Sequence, residues 1–179
     1  GKNKDIWGLT IIGDGPLRSK IEDAVNNSGL KILLPGFKSY EEMPSLYAKA
    51  GVFVHLSHVE QWGLVVNEAM AAGLPVLISK NCGCYPELVV EGENGYGVDP
   101  CDTKHIANLM YHFSQISEFE RQWYGKKSLQ IINRFSLENH ANSISAFKKD
   151  IRFVHSRFKR LLSIGLIKIL FLQRRVFRG

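Results

Sequence analysis

Val52-Phe53-Val54-His55-Leu56 and, beyond Ser57-His58-Val59, the run Glu60-Gln61-Trp62-Gly63-Leu64-Val65-Val66-Asn67-Glu68-Ala69-Met70-Ala71-Ala72-Gly73-Leu74-Pro75-Val76 set the architecture by their spacing. Val52 to Leu56 has the length and the β-branched, aromatic content of a buried strand. Leu64 to Ala72 reads as a helix, and Gly73 stops it because a glycine accepts the left-handed conformation of a helix end. Pro75 to Ile78 then starts another strand. A strand, a loop, a helix and a second strand in this order make a β-α-β unit, in which parallel strands are covered by helices on both faces.

The same alternation extends outward. Upstream, Ile6 to Ile12 is a strand that ends in Gly13-Asp14-Gly15-Pro16, and the helix after it carries Leu17, Ile21, Ala24 and Val25 on one face. Lys31 to Leu34 is a short strand closed by Pro35-Gly36, and Tyr40 to Ala50 is helical, with Met43, Leu46, Tyr47 and Ala50 at helical spacing. Downstream, Glu87 to Val90 forms one helical turn, Gly92 to Gly95 a tight turn, and Tyr96 to Val98 a short strand. Asp102 or Thr103 caps a helix running to about Ser114, and Ser136 caps another. The predicted fold is α/β, a Rossmann-like three-layer α/β/α domain with a mainly parallel sheet over residues 1–135, followed by a helical, basic tail over 136–179.

The 179 residues suffice for one such core and an appendage. An apolar fraction of 45% with 22% charged residues is ordinary for a folded protein and argues against a disordered chain. The net charge of +6 raises the question of nucleic acid, but eight of the 23 Lys and Arg lie between Ile151 and Gly179, where there is no acid. The first 150 residues therefore carry 15 bases against 17 acids, too balanced for a nucleic-acid surface. Cys82, Cys84 and Cys101 are odd in number and lack ligand spacing, so neither a disulfide framework nor a zinc site is expected, and a reducing cytosol fits. The opening Gly1 and the lack of a charged-then-apolar leader lead us to expect a piece of a longer, non-secreted polypeptide.

In open α/β sheets ligands bind outside the carboxyl ends of the strands, where helix N-termini present free N–H groups and partial positive charge. Ser57 to Glu68 is such a place. Gly63 lets a diphosphate approach the backbone N–H groups of Gly63, Leu64 and Val65. Glu60 in the loop and Glu68 on the second helical turn offer carboxylates, which accept pairs of hydrogen bonds from neighbouring hydroxyls of a sugar or ribose. Gly13-Asp14-Gly15 lacks the third glycine and the distal acid of a dinucleotide fingerprint, which argues against NAD.

The run from Glu60 to Val76 resembles the signature of family 4 of the glycosyltransferases, enzymes with two Rossmann-like domains, the GT-B fold. Flanking pieces resemble that family in order and spacing from about Leu9 to Ala107: Gly13-Asp14-Gly15-Pro16 its first glycine loop, Pro35-Gly36-Phe37 its base-binding strand end, Gly83-Cys84-Tyr85-Pro86-Glu87 its loop after the fourth strand, and Asn94-Gly95 its late turn. The resemblance implies the C-terminal, donor-binding half of a retaining enzyme that transfers a sugar from a nucleotide sugar. Glu60 would contact the transferred sugar as the catalytic carboxylate, Glu68 the ribose, the backbone at Gly63, Leu64 and Val65 the diphosphate, and main-chain groups of Phe37 the base, with Gly13 and Gly15 lining the site. Trp62 is equally a loop-packing residue and a donor contact.

UDP is favoured over GDP as the commoner donor in the family, and the implied setting is bacterial surface polysaccharide or glycolipid synthesis in the cytoplasm. Neither cofactor nor metal is expected, and no D-x-D pair occurs to hold one against a diphosphate. An Arg and a Lys that hold donor phosphates in the family lie upstream of the strand equivalent to Ile6 to Ile12, outside this sequence. So does the N-terminal domain with its acceptor contacts, so the chain is expected to bind donor weakly and to catalyse little. His58 and the thiols of Cys82 and Cys84 are expected to be structural. The tail, 151–179, combines an apolar run with basic clusters, and two readings stand: a helix on an anionic membrane surface, or one packed on the N-terminal domain. Rival functions are a GT-B-fold sugar-nucleotide epimerase and a non-catalytic membrane-docking module.

Overall fold

A computed structural model of the chain describes residues 7–136, 138, 139, 141, 142 and 144–146. The tail segment 151–179, with its two readings as a membrane-surface helix or one packed on the N-terminal domain, lies outside the described residues. Among the described residues five strands alternate with helices: β1 Leu9–Ile12, α1 Arg18–Ser28, β2 Ile32–Gly36, α2 Met43–Tyr47, β3 Phe53–His55, α3 Leu64–Ala71, β4 Val76–Ser79, α4 Tyr85–Leu88, β5 Gly95–Val98, α5 Thr103–Gln115 and α6 Glu118–Ile132, with a 3-10 turn at Asn133–Phe135. Every described strand pair is parallel, in keeping with the α/β, Rossmann-like expectation. The strands fall into two sheets, however: β1 pairs with β2, and β3, β4 and β5 form a second sheet in that order.

The three-stranded sheet holds the core. All four residues of β4 are buried, because helices cover the strand on both faces. Leu77 and Val98 pack with Ile106 and Phe113 of α5 and Tyr124 of α6. The aromatic rings meet edge to face, with Phe113 and Tyr124 centroids 5.6 Å apart, and the Tyr96 and Tyr124 hydroxyls share a hydrogen bond of 3.1 Å. α6 also passes so close to the end of α3 that a Cβ at Gly125 would overlap the Gly73 carbonyl oxygen, and Ser128 Oγ donates to the Leu74 carbonyl at 2.7 Å.

The largest differences from the sequence reading concern three helices. The helix expected over Tyr40 to Ala50 is confined to Met43–Tyr47, with Pro44 in its first turn, where a missing N–H does no harm. The helical turn after β4 begins at Tyr85, again with a proline in its first turn, rather than at Glu87. α6, which the sequence reading left unassigned, is opened by a capping box in which Ser117 Oγ accepts from the Glu120 N–H and the Glu120 carboxylate accepts from the Ser117 N–H. Two caps proposed from sequence are present: Asp102 accepts from the His105 N–H at 3.0 Å, and Ser136 Oγ from the Asn139 N–H at 3.2 Å.

Candidate functional site

The loop from β3 to α3 is fixed by the loop that follows β4. The Gly83 N–H donates to the Glu60 carbonyl at 3.0 Å and the Cys84 N–H to the Trp62 carbonyl at 3.2 Å, so the two loops lie side by side. A Cβ at Gly83 would overlap the Gln61 carbonyl oxygen, which makes glycine a requirement of this stacking. Cys82 and Cys84 flank it and are buried, and burial pushes the Cys84 thiol up to about 11. Neither is a reactive thiolate at neutral pH. The His58 carbonyl accepts from Asn81 Nδ2 at 3.0 Å, which is a structural use of that segment.

Gly63 turns the chain into α3 with φ 93° and ψ 64°, a left-handed conformation that side chains rarely adopt. The Val66 N–H returns to the Gly63 carbonyl at 2.8 Å, whereas the N–H groups of Gly63, Leu64 and Val65 meet no protein acceptor among the described residues. Leu64 is exposed, while Val66, Ala69 and Met70 anchor the other face of the helix in the core. The result is a helix start with open donors and a fixed position, the geometry that suits an anion.

Glu60 lies against this start, its Cγ 3.4 Å from where a Cβ of Gly63 would be, and Glu68 follows on the second turn of α3. Glu60 is half-buried, with Oε2 3.9 Å from His55 Nε2. Burial lowers the His55 pKa below its ordinary value, and the Glu60 carboxylate only partly opposes that shift. The imidazole is therefore neutral at pH 7, and the pair is not a strong ion pair. Glu68 accepts a hydrogen bond at Oε2 from the hydroxyl of Tyr47, 2.9 Å away. Trp62 donates its indole N–H to Asn67 Oδ1 at 3.0 Å, closing the loop onto its own helix.

A second cluster forms at the ends of β1 and β2. The Gly13 N–H, in a residue with φ 128°, donates to the Gly36 carbonyl at 3.0 Å, and the Gly15 N–H donates to Asp14 Oδ1 at 2.8 Å. Arg18 spans the two strands: it reaches Glu22 at 2.7 Å, Asp14 at 3.3 Å and the Leu34 carbonyl at 3.4 Å. Phe37, just past Gly36, exposes 78% of its surface. Glu60, Trp62 and Gly63 are thus brought together in one cluster, and Gly13, Gly15 and Phe37 in another. Tyr47, His55, Asn67 and Arg18 were not among the expected site residues. Tyr47 was read only as an apolar helix position.

Among the described residues no group of three or more His, Cys, Asp or Glu is placed to hold a metal ion, and no helix is long and apolar enough to cross a membrane.

A parallel α/β unit with an open helix start beyond the end of β3 defines a domain of the Rossmann-like kind. The pattern describing the family "Glycosyl transferases group 1" matches residues 2–128, and the chain belongs to that family. It is 31% identical over 137 residues to an uncharacterized glycosyltransferase of Methanocaldococcus jannaschii, a match covering 75% of this chain and 38% of the relative. It is 35% identical over 114 residues to O-antigen chain mannosyltransferase B of Escherichia coli, covering 63% of this chain and 29% of that protein. The chain therefore spans well under half of the length of these relatives. Its fold is similar to that of the C-terminal domain of LpcC, a glycosyl transferase group 1 family protein of Francisella tularensis, with a TM-score of 0.67 and 28% identity over 76% of this chain and 73% of that one. It is similar also to Anabaena HepE in complex with UDP-glucose, with a TM-score of 0.66 and 24% identity over 79% of this chain and 40% of that one. The structural relatives are GT-B glycosyltransferases, and the domain is one half of that fold.

Proposed function

We propose that the chain is the donor-binding half of a retaining glycosyltransferase that moves a sugar from a UDP-sugar to a glycan or glycolipid acceptor in surface polysaccharide synthesis. The observation that carries this reading is the open start of α3, where Gly63, Leu64 and Val65 point unpaired N–H groups outward between Glu60 and Glu68. When the bond from the sugar to the diphosphate breaks, negative charge grows on the leaving oxygens, and donors fixed in advance stabilise it without reorganising. Glu60 then serves the transferred sugar as catalytic carboxylate and Glu68 the ribose. Phe37 serves the base through its main chain, and Gly13 and Gly15 leave room beside it. The structural likeness to a protein crystallised with UDP-glucose supports the choice of uridine.

In this reading the acceptor contacts come from an N-terminal domain of the same enzyme, and basic groups upstream of β1 complete the phosphate site. The setting is the cytoplasm, at the inner face of the membrane if the basic tail binds anionic lipid. No metal takes part. Titrating the chain with UDP, GDP and NAD tests the core of this reading: UDP should bind most tightly, and tighter binding of NAD than of either diphosphate would overturn it. Glu68→Ala should weaken UDP by about 1–3 kcal/mol, the cost of losing hydrogen bonds to a charged group, and Glu60→Ala should leave bare UDP unaffected. Equal losses would show that the two roles are wrongly divided.

A further inference from the structure

We propose that Tyr47 is a positioning residue of the donor site, which holds the Glu68 carboxylate in the orientation that reads the ribose. The proposal rests on the assignment of Glu68 to the ribose. Tyr47 is the last residue of α2, and its ring is buried against Phe53 of β3 in an edge-on contact with centroids 5.9 Å apart. That packing leaves the phenol little freedom, and its hydroxyl ends 2.9 Å from Glu68 Oε2. A phenol with one O–H and a carboxylate oxygen can pair in one sense only, with Tyr47 donating. Burial raises the phenol's pKa well above its ordinary value, and the neighbouring Glu68 charge raises it further, so the proton stays on Tyr47 at any working pH.

Oε1 of Glu68, by contrast, has no hydrogen-bond partner among the described residues. The consequence is a carboxylate with one oxygen tethered to the core and the other open to a ligand. A glutamate on a helix surface ordinarily samples several rotamers, and restricting it in the free protein lowers what binding must later order. Tyr47 does this through Oε2 alone and leaves Oε1 open. It therefore shapes recognition of the ribose hydroxyls without touching them.

The test compares binding of UDP and of 2′,3′-dideoxy-UDP by calorimetry, using the full 179-residue chain as wild type, Tyr47→Phe, Glu68→Ala and the double variant. Tyr47→Phe keeps the buried ring and removes only the donor, so its Tm should fall by no more than about 2–4 °C. It should weaken UDP about fivefold, in the range of one hydrogen bond to a charged group acting indirectly, and leave the dideoxy nucleotide nearly unchanged. In the Glu68→Ala background the same substitution should have no further effect. Equal weakening of both nucleotides, or a Tyr47→Phe loss that persists without Glu68, would make Tyr47 a packing residue only and overturn the proposal. If Glu68→Ala itself spares both UDP affinity and the preference for ribose, the assignment of Glu68 fails first and the proposal falls with it.

Discussion

The β1–α1–β2 segment and the β3–β4–β5 segment are built on the same β-α plan, yet they differ in how much they bury. Helix α1 has no buried residue, and β1 is exposed at three of its four positions. β4 is buried at all four, and the helix leading into it, α3, seats Val66, Ala69 and Met70 in the core. The difference lies in what covers each piece. β3–β5 has α5 and α6 against it and an aromatic cluster at its centre, whereas β1 and β2 make a two-stranded sheet, too few strands for independent stability. Both segments end in candidate donor contacts, so in the proposed reading the donor meets one firmly packed segment and one lightly buried one.

The largest expected effect comes from attacking the firm side. Phe113→Ala empties a fully buried aromatic position and should cost about 3–5 kcal/mol in urea unfolding. A loss below 1 kcal/mol would deny that the β3–β5 core dominates stability. Ser117→Ala removes one half of the capping box of α6 and should cost about 1 kcal/mol, since Ser117 Oγ accepts the Glu120 N–H at the start of the helix that closes this core.

A smaller, pH-dependent effect is expected at His55. Its folded pKa lies below the ordinary 6.5 because burial disfavours the charged ring, so the unfolded chain binds the proton more readily. Stability should be full above about pH 6.5 and decline as the pH falls from there through the lower folded value, and His55→Gln should flatten that decline. An unchanged acid limb in the variant would show that His55 is not responsible.

Leu33→Ala on β2, at 57% exposure, should lie within about 0.5 kcal/mol of wild type. A loss as large as that of Phe113→Ala would erase the contrast between the two segments. Hydrogen exchange sharpens it further, because the amides of β1 and β2 should exchange through smaller openings than those of β4.

What the sequence disclosed follows the same division. Strand β3, helix α3 and strand β4 could be placed from apolar runs and from Gly73, because local chemistry and final burial agree there. α6 was missed for a physical reason: its buried positions are Tyr124, Gly125, Ser128 and Ile131, and a glycine and a serine do not mark a core face in an apolar pattern. The one local signal for it was Ser117 with Glu120, three residues on. Apolar spacing overstates the length of α2, whose start is marked instead by Pro44, a residue that fits only the first turn of a helix.

At the candidate site, the residues joined by one continuous motif were legible, and those joined by tertiary crossing were not. Glu60, Trp62, Gly63 and Glu68 could be proposed from a single stretch. The partnership of Tyr47 with Glu68 spans 21 positions and exists only because α2 and α3 meet beside β3. His55 was likewise read as a strand residue, although its ring comes within 3.9 Å of Glu60 once the loop folds back.

The close passage of α6 over Gly73 and Leu74 also bears on the order in which the protein acquires its shape. As the chain emerges from the ribosome, Glu60, Gly63 and Glu68 are made before α6, and the far end of α3 stays uncovered until Gly125 and Ser128 arrive more than fifty residues after it. A nascent or truncated chain that stops before α6 holds every residue of the candidate site and still lacks the element that clamps its helix. Such a product would retain the motif and lose the means of keeping it still.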